Sequence, residues 1–331
     1  MHYSCLIVQL LSDGADMDVL TELLDAVKLG GDVFFRCAFS GPWVMDIGQK
    51  PVAEFHLIVE GSCCVSISGR AEPVMLHPGD IVLFPHGHAH VLLDAPETPQ
   101  SAGYEIMPDM PENYGPVALN GSGPLLGMLC GYFSFDRQGH SALTHALPPF
   151  IHIQSEDVAE DFPWLLSTMQ FIDHETKHVR PGTTAVVSRL VAVLFIQILR
   201  AYIASSSQAS GLLGAIANPR IGKALVAMHG EPGRAWTLGE LAEHAGMSRS
   251  AFAAGFQSQV NQTPMQYLTE WRMHKARAML ESSRRSMGDI AEACGYQSES
   301  SFSKAFKKQF GSSPGAFRRG SSSGLESLES K

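Results

Sequence analysis

Apolar residues change their rhythm twice along this chain. From residue 33 to residue 135 they come in short runs, such as Phe55-His56-Leu57-Ile58-Val59, Cys64-Val65-Ser66-Ile67-Ser68 and Ile81-Val82-Leu83-Phe84. Glu60-Gly61, Ser68-Gly69 and Pro78-Gly79-Asp80 separate these runs and read as turns. Runs punctuated in this way predict short antiparallel strands that build a small barrel or jelly roll. From residue 162 the spacing becomes helical: Phe162 to His178 and Thr184 to Ala204, separated by Arg180-Pro181-Gly182, predict an antiparallel helix pair. The second is the most apolar segment of the chain. Arg189, Gln197 and Arg200 interrupt it, so its uncharged stretch falls short of the roughly 18 residues that a membrane span requires. It is expected as a buried or dimer-forming helix.

The last third holds a repeat. Residues 241–264 read LAEHAGMSRSAFAAGFQSQVNQTP and residues 290–314 read IAEACGYQSESSFSKAFKKQFGSSP. With one inserted residue, Gln297, they pair Leu241 with Ile290, Gly246 with Gly295, Ser248 with Ser298, Phe252 with Phe302, Phe256 with Phe306 and Pro264 with Pro314. Each copy predicts a short helix, a glycine turn, a serine N-cap and a second helix anchored by Phe at i and i+4. That is a helix-turn-helix, present twice. An amphipathic stretch (Met265, Leu268, Trp271, Met279, Leu280) carrying Arg272, Lys275 and Arg277 joins the two.

Charge separates along the same line. Residues 212–320 carry 14 Lys and Arg against 8 Asp and Glu, whereas residues 1–211 carry 9 against 23, within a net charge of −9. A basic third on an acidic chain suits phosphate neutralisation by that third alone.

On these residues, the last third resembles the AraC/XylS family of bacterial transcription regulators, down to the closing SSPGAFRR at 312–319. The resemblance implies two recognition helices in successive major-groove segments of double-stranded promoter DNA. It also implies a homodimer formed through the preceding helices, a contact with RNA polymerase, an activator's role and a cytoplasmic location. With the Phe pairs facing inward, Arg249, Ser250, Ala253 and Gln257 of the first recognition helix, and Glu299, Ser300, Ser303 and Lys304 of the second, are the expected base contacts. Glu299 equally suits the N-terminus of its own helix. Thr263, Arg272, Lys307, Lys308, Ser313, Arg318 and Arg319 are the expected phosphate contacts, Thr263 and Ser313 through the backbone amides that follow them.

The segment from Gly79 to His90 fits the second cupin motif, G-x5-P-x-G-x2-H, at every defined position, so residues 33–150 resemble a cupin sensor domain. Metal-binding cupins hold their ion with two His and a Glu from the first motif and a His from the second. Counting back from Gly61 places the Glu at Glu54, but the expected histidine positions fall at or beside Gly48 and Lys50. Glu54, a displaced His56 and His90 are what remains, as candidates for an effector or a reduced metal site. His86 and His88 are expected to support a turn. No metal, no cofactor and no catalytic residue is assigned, and a cupin that retains metal-dependent enzymatic activity stands as an alternative reading.

Cys5, Cys37, Cys63, Cys64, Cys130 and Cys294 include no C-x-x-C, and the start of the chain has no basic flank or cleavage site of a signal peptide. A reduced, cytoplasmic chain is expected. Cys63 and Cys64, adjacent in a strand, face opposite ways. Cys294 aligns with Ala245 as a small core residue. Cys37 and Cys130 fall on strands at opposite ends of the predicted barrel, which closure brings near one another, so an oxidant acting on them competes with a small molecule as the effector. The expected organisation is an α+β multidomain chain: residues 1–32 with a short helix, a cupin-like β-barrel or jelly roll over 33–150, a helical connector over 151–211, an all-α domain with two helix-turn-helix motifs over 212–320, and a disordered tail over 321–331.

Overall fold

The computed structural model describes residues 19–25, 29–99, 114, 116–135, 147–158, 162–204 and 211–319. Cys5 and the tail over 321–331 lie outside these residues. The described residues divide into two compact units, one holding residues 29–204, the other holding a short helix, α1 (Val19–Asp25), together with residues 211–319.

The first unit is a sandwich of two sheets. Strands β1 (Gly30–Ser40), β3 (Ala53–Glu60), β6 (Ile81–Phe84), β8 (Pro116–Leu119), β9 (Leu125–Ser134) and β10 (Ile151–Ile153) form a six-stranded sheet in the order β10-β6-β3-β9-β1-β8. Strands β2 (Val44–Ile47), β4 (Cys63–Ile67), β5 (Val74–Leu76) and β7 (His90–Leu93) form a four-stranded sheet in the order β2-β7-β4-β5. The pairing is antiparallel except between β1 and β8. The two sheets do not close into a single barrel, so of the two expected forms the jelly-roll-like one is correct.

Alternation decides what each strand buries. Phe35, Cys37 and Phe39 of β1, Val82 and Phe84 of β6, and Met128 of β9 point between the sheets, against residues such as Met45, Val65 and Leu92 of the smaller sheet. The outer face of the larger sheet is buried too. Helices α3 (Pro163–Lys177) and α4 (Thr183–Ala204), which follow a single turn, α2 (Ser155–Val158), belong to this unit, and α4 packs on β1, β9 and β10. Phe195 meets Phe133 at 4.8 Å between ring centroids, and Arg36 of β1 reaches Asp173 of α3 at 2.6 Å. Burial on both faces explains why β3 reads as a continuous apolar run with two polar intruders, Glu54 and His56. It also places the apolar α4: Val187, Val191, Leu194, Phe195 and Ile198 line its sheet-facing side. The two helices expected as a separate connector are therefore part of the sandwich.

The second unit is helical: α5 (Gly211–Ala217), α6 (Ile221–Gly230), α7 (Leu238–His244), α8 (Arg249–Val260), α9 (Pro264–Ser282), α10 (Met287–Ala293) and α11 (Glu299–Phe310). Helix α1 packs on α6, burying Val19, Leu20 and Leu23, and Glu22 pairs with Lys275 of α9.

Candidate nucleic-acid interface and cupin-type centre

Both predicted helix-turn-helix motifs form, by the same local devices. Helices α7 and α10 each begin with a capping box, Thr237 with Glu240 and Ser286 with Asp289. Each ends in a pair of backbone bonds of the Schellman type: Met247 N–H to the Ala242 carbonyl and Gly246 N–H to Glu243, then Tyr296 N–H to Ala291 and Gly295 N–H to Glu292. The reversal puts Gly246 at φ +60° and Gly295 at φ +76°, a conformation that costs little only without a Cβ. Ser248 and Ser298 then cap α8 and α11, accepting the Ala251 and Ser301 amides at 3.3 and 3.2 Å. Phe252 with Phe256, and Phe302 with Phe306, are fully buried, and each ring contributes about 1.5–3 kcal/mol of burial free energy. Cys294 and Ala245 are both buried at the turn.

With those rings inside, Arg249, Ser250, Ala254 and Gln257 of α8 and Glu299, Ser300 and Lys304 of α11 are exposed, and Ala253 and Ser303 are half-buried. Arg249 lies along Gly239 of α7, where an added methyl group would stand 3.8 Å from its Cδ. Glu299 occupies the equivalent place against Gly288, where a methyl would stand 3.0 Å from Oε1 and 3.7 Å from the Ser286 hydroxyl. The carboxylate thus leans over the first turn of α10, where its charge suits the helix N-terminus.

Lys307, Lys308, Ser313 and Arg319 are exposed, Thr263 and Arg318 half-buried. The Thr263 hydroxyl caps α9 in a box with Gln266, and Ser313 Oγ accepts the Ala316 amide at 3.3 Å. Arg272, expected to meet phosphate, is engaged within its own unit: its guanidinium donates from Nε to the Pro232 carbonyl at 2.6 Å and from Nη2 to the Arg234 carbonyl at 2.7 Å. The two other cations of α9 also have partners within the unit: Lys275 meets Glu22, and Arg277 lies over the neighbouring rings of Phe310 and Phe317 and pairs with Glu281. Nothing local in the sequence distinguishes these three from solvent-facing cations.

In the sandwich Cys37, Cys130, His56 and His90 are in contact one with the next, whereas Glu54 is paired with Lys50. Cys37 and Cys130 sulfurs are 3.9 Å apart on neighbouring strands, His56 Nδ1 is 3.1 Å from Cys130 Sγ, and the Nε2 atoms of His56 and His90 are 2.8 Å apart. His90 stacks on Phe84 at 3.7 Å. Burial pushes the Cys130 thiol well above its usual range and both imidazoles below theirs. Glu54 is buried and its carboxyl is raised by desolvation, which the hydrogen bond and charge of Lys50, 2.7 Å away, partly offset. Cys63 faces the sandwich core and Cys64 the opposite side, in a small cluster with Val44 and Leu93. His86 supports its turn by bonding the Leu147 carbonyl at 2.9 Å.

The metal that cupins of this motif hold does not fit these residues. Glu54 Oε2 lacks a hydrogen-bond partner, which offers one ligand, but Oε1 is taken by Lys50 and the two histidine nitrogens face each other in contact. Among the described residues no group of three or more His, Cys, Asp or Glu is arranged to hold a metal ion. Lys50 is not among the expected site residues, and the local signal for it is the lack of a motif histidine at or beside its position.

Two Ser-capped, Phe-anchored helix-turn-helix motifs in one chain with a cupin-type sandwich define a DNA-binding transcription regulator. A profile described as "Cupin" matches residues 18–204, and one described as "Helix-turn-helix domain" matches residues 241–320. The chain is 31% identical over 305 residues to a putative AraC-like transcription regulator of Streptomyces lividans, covering 92% of this chain and 98% of that one. It is 31% identical over 306 residues to the HTH-type transcriptional regulator AlkR of Acinetobacter baylyi, covering 92% and 99%. The HTH-type transcriptional regulator MtrA of Neisseria gonorrhoeae is 30% identical over 308 residues, covering 92% and 98%. The chain belongs to the AraC-like transcription regulators.

Proposed function

We propose that this regulator is a homodimer in which the helix-turn-helix pair reads promoter DNA and the cupin-type sandwich senses an effector. The observation that carries the reading is the duplicated motif with Arg249, Ser250 and Gln257 exposed on α8 and Lys304, Lys307 and Lys308 exposed on α11. Arg249 is the principal base reader, assisted by Ser250, Ala253 and Gln257, with Ser300, Ser303 and Lys304 on the second helix. Lys307, Lys308, Arg318, Arg319 and the Met265 and Gly315 amides, which follow Thr263-Pro264 and Ser313-Pro314, meet phosphate. Genome-wide mapping of bound sites, then titration of a recovered fragment against random DNA at several salt concentrations, tests this. Binding to the fragment should be at least about 1,000-fold tighter, and equal affinity for both would refute sequence-specific reading.

Dimerisation is supported by Trp164 (74% exposed) and Phe171 (63%) on α3, with Val186 and Val193 exposed on α4. An apolar stripe of this kind suits a second copy of the chain. Light scattering should give a dimer, reduced to monomer by Trp164→Glu with Phe171→Glu. The sandwich is assigned no catalytic role, in keeping with relatives that are regulators.

The 3.9 Å sulfur separation favours a second reading, with an oxidant as effector. Hydrogen peroxide would take two electrons from Cys37 and Cys130, leaving one disulfide, while the two thiol protons leave in two waters. Two features oppose it. Burial holds the Cys130 thiol protonated, and the pair is diagonal across β1 and β9, since Cys37 stands opposite Met128 and Cys130 opposite Phe35. Diagonal spacing is wider than a relaxed disulfide tolerates. Thiol counting decides: peroxide should remove two thiols and alter DNA binding in wild type and in Cys63→Ser, but not in Cys37→Ser or Cys130→Ser. A double mutant that still responds as wild type does ends the thiol reading and leaves Glu54, His56 and His90 as the first effector residues to test.

A further inference from the structure

Buried polar groups inside the sandwich pass hydrogens in one direction, set by a backbone carbonyl. The His88 carbonyl oxygen can only accept, so His90 Nδ1, 2.8 Å away, carries a hydrogen. Burial pushes the His90 pKa down to about 4, so the ring is neutral and Nε2 is a lone pair. His56 Nε2, 2.8 Å from it, therefore donates. The His56 ring is also held neutral by burial, so its Nδ1 accepts from the Cys130 thiol at 3.1 Å. The Cys37 thiol continues the chain at 3.9 Å.

This arrangement opposes a bound dication. A metal shared by two histidines needs both facing lone pairs free and holds each nitrogen at about 2.0–2.1 Å. Here the two nitrogens touch, and one of them carries a hydrogen. The remaining acidic donor, Glu54, is engaged by the Lys50 ammonium, whose loop is held in place. Lys50 N–H donates to the Gly87 carbonyl at 2.9 Å, Gln49 Nε2 donates to the His86 carbonyl at 2.9 Å, and Lys50 Nζ lies 5.2 Å from the centre of the Phe34 ring. The turn of the second cupin motif thus clamps the loop that carries Lys50. Lys50 stands four residues ahead of Glu54, at a position where the metal-binding motif has a histidine.

We propose that Lys50 is a built-in cation that replaces the metal of metal-binding cupins: its ammonium neutralises Glu54, leaves His56 and His90 to bond each other, and makes the centre exclude divalent metal ions. The proposal is independent of the DNA-binding reading. Its consequence is that the centre carries no Lewis acid and offers an organic effector only hydrogen bonds and the Lys50–Glu54 ion pair.

The test is equilibrium dialysis of the untagged, full-length protein against Co²⁺ or Zn²⁺, followed by metal analysis and visible absorption. Wild type should retain no metal. Lys50→His, which removes the ammonium and restores the motif histidine, should take up about one Co²⁺ per chain, with the absorption bands of protein-ligated cobalt. That uptake should be lost again in Lys50→His/His90→Ala, with circular dichroism and DNA binding showing that each variant is folded. Long-range ¹H–¹⁵N NMR of wild type gives a readout that needs no variant: His90 protonated on Nδ1 and His56 on Nε2, both unshifted by excess Zn²⁺. Stoichiometric uptake by wild type that His56→Ala or His90→Ala abolishes would overturn the proposal. So would folded Lys50→His and Lys50→Ala variants that both stay metal-free, because the ammonium would then not be what keeps metal out.

Discussion

The two helix-turn-helix motifs share a skeleton and differ in the surface they offer. Glycine turn, serine cap and buried Phe pair recur at equivalent positions, and both second helices end in a left-handed residue, Asn261 in one and Gly311 in the other. The surfaces part company at the first helical residue. Arg249 opens α8, and Ala253 and Ala254 follow; Glu299 opens α11 and bends back over α10, while the cations gather later, at Lys304, Lys307 and Lys308. Packing and capping are demands that every copy of the fold must meet, so they repeat. The exposed positions carry no such demand and are free to differ, with Arg249 opening one surface and three lysines gathering on the other; under the proposed function the first surface leans toward reading bases and the second toward gripping the backbone.

The largest effect should come from the shared skeleton. Phe252→Ala and Phe302→Ala should each cost about 3–5 kcal/mol in urea unfolding, and a large inequality between them would break the equivalence of the two cores. Next comes the proposed division of labour. Arg249→Ala should cost about 1–3 kcal/mol on the specific site and relax preference at one base position, whereas Glu299→Gln should change specific binding by less than about 0.5 kcal/mol. Competition binding against a base-substituted panel measures both, and relaxed specificity in Glu299→Gln would return that carboxylate to base reading. Replacing Lys307 and Lys308 by Ala should weaken binding to all sequences alike and flatten the log–log salt slope by about 1 per lost phosphate contact. An unchanged slope would place both lysines in solvent. The smaller effect on stability is expected at the caps: Ser248→Ala and Ser298→Ala should each lose about 0.5–1 kcal/mol, equally if the motifs are the repeats they resemble.

What could be read in advance was local. A serine cap, a glycine turn and Phe at i and i+4 are decided within a few residues, so both motifs were legible, as were β3, β4 and β6 between their turns. The approach of Cys37 to Cys130, 93 residues apart, is expected from the closed form of a barrel or jelly roll, and it occurs between β1 and β9, paired neighbours in one sheet, without closure. Fates set by distant groups were not legible. Arg272 answers to carbonyls at Pro232 and Arg234, and Lys275 answers to Glu22 from the other end of the chain. The i,i+4 spacing of Lys50 and Glu54 has no helix to explain it, because β3 begins at Ala53. Only the turn that clamps the Lys50 loop brings the two charges together.

Helix α1 changes what counts as a detachable piece of this protein. Sequence order suggests cutting at Ser210 to obtain the DNA-binding part, yet Val19, Leu20 and Leu23 are buried in that unit, and Glu22 neutralises Lys275 there. A fragment that starts at Ser210 is expected to bare the apolar side of α6 and to precipitate more readily than one to which residues 19–25 are supplied as a separate peptide. In the cell, a protease that trims the N-terminus would reach the DNA-binding unit without touching any residue of its contiguous sequence.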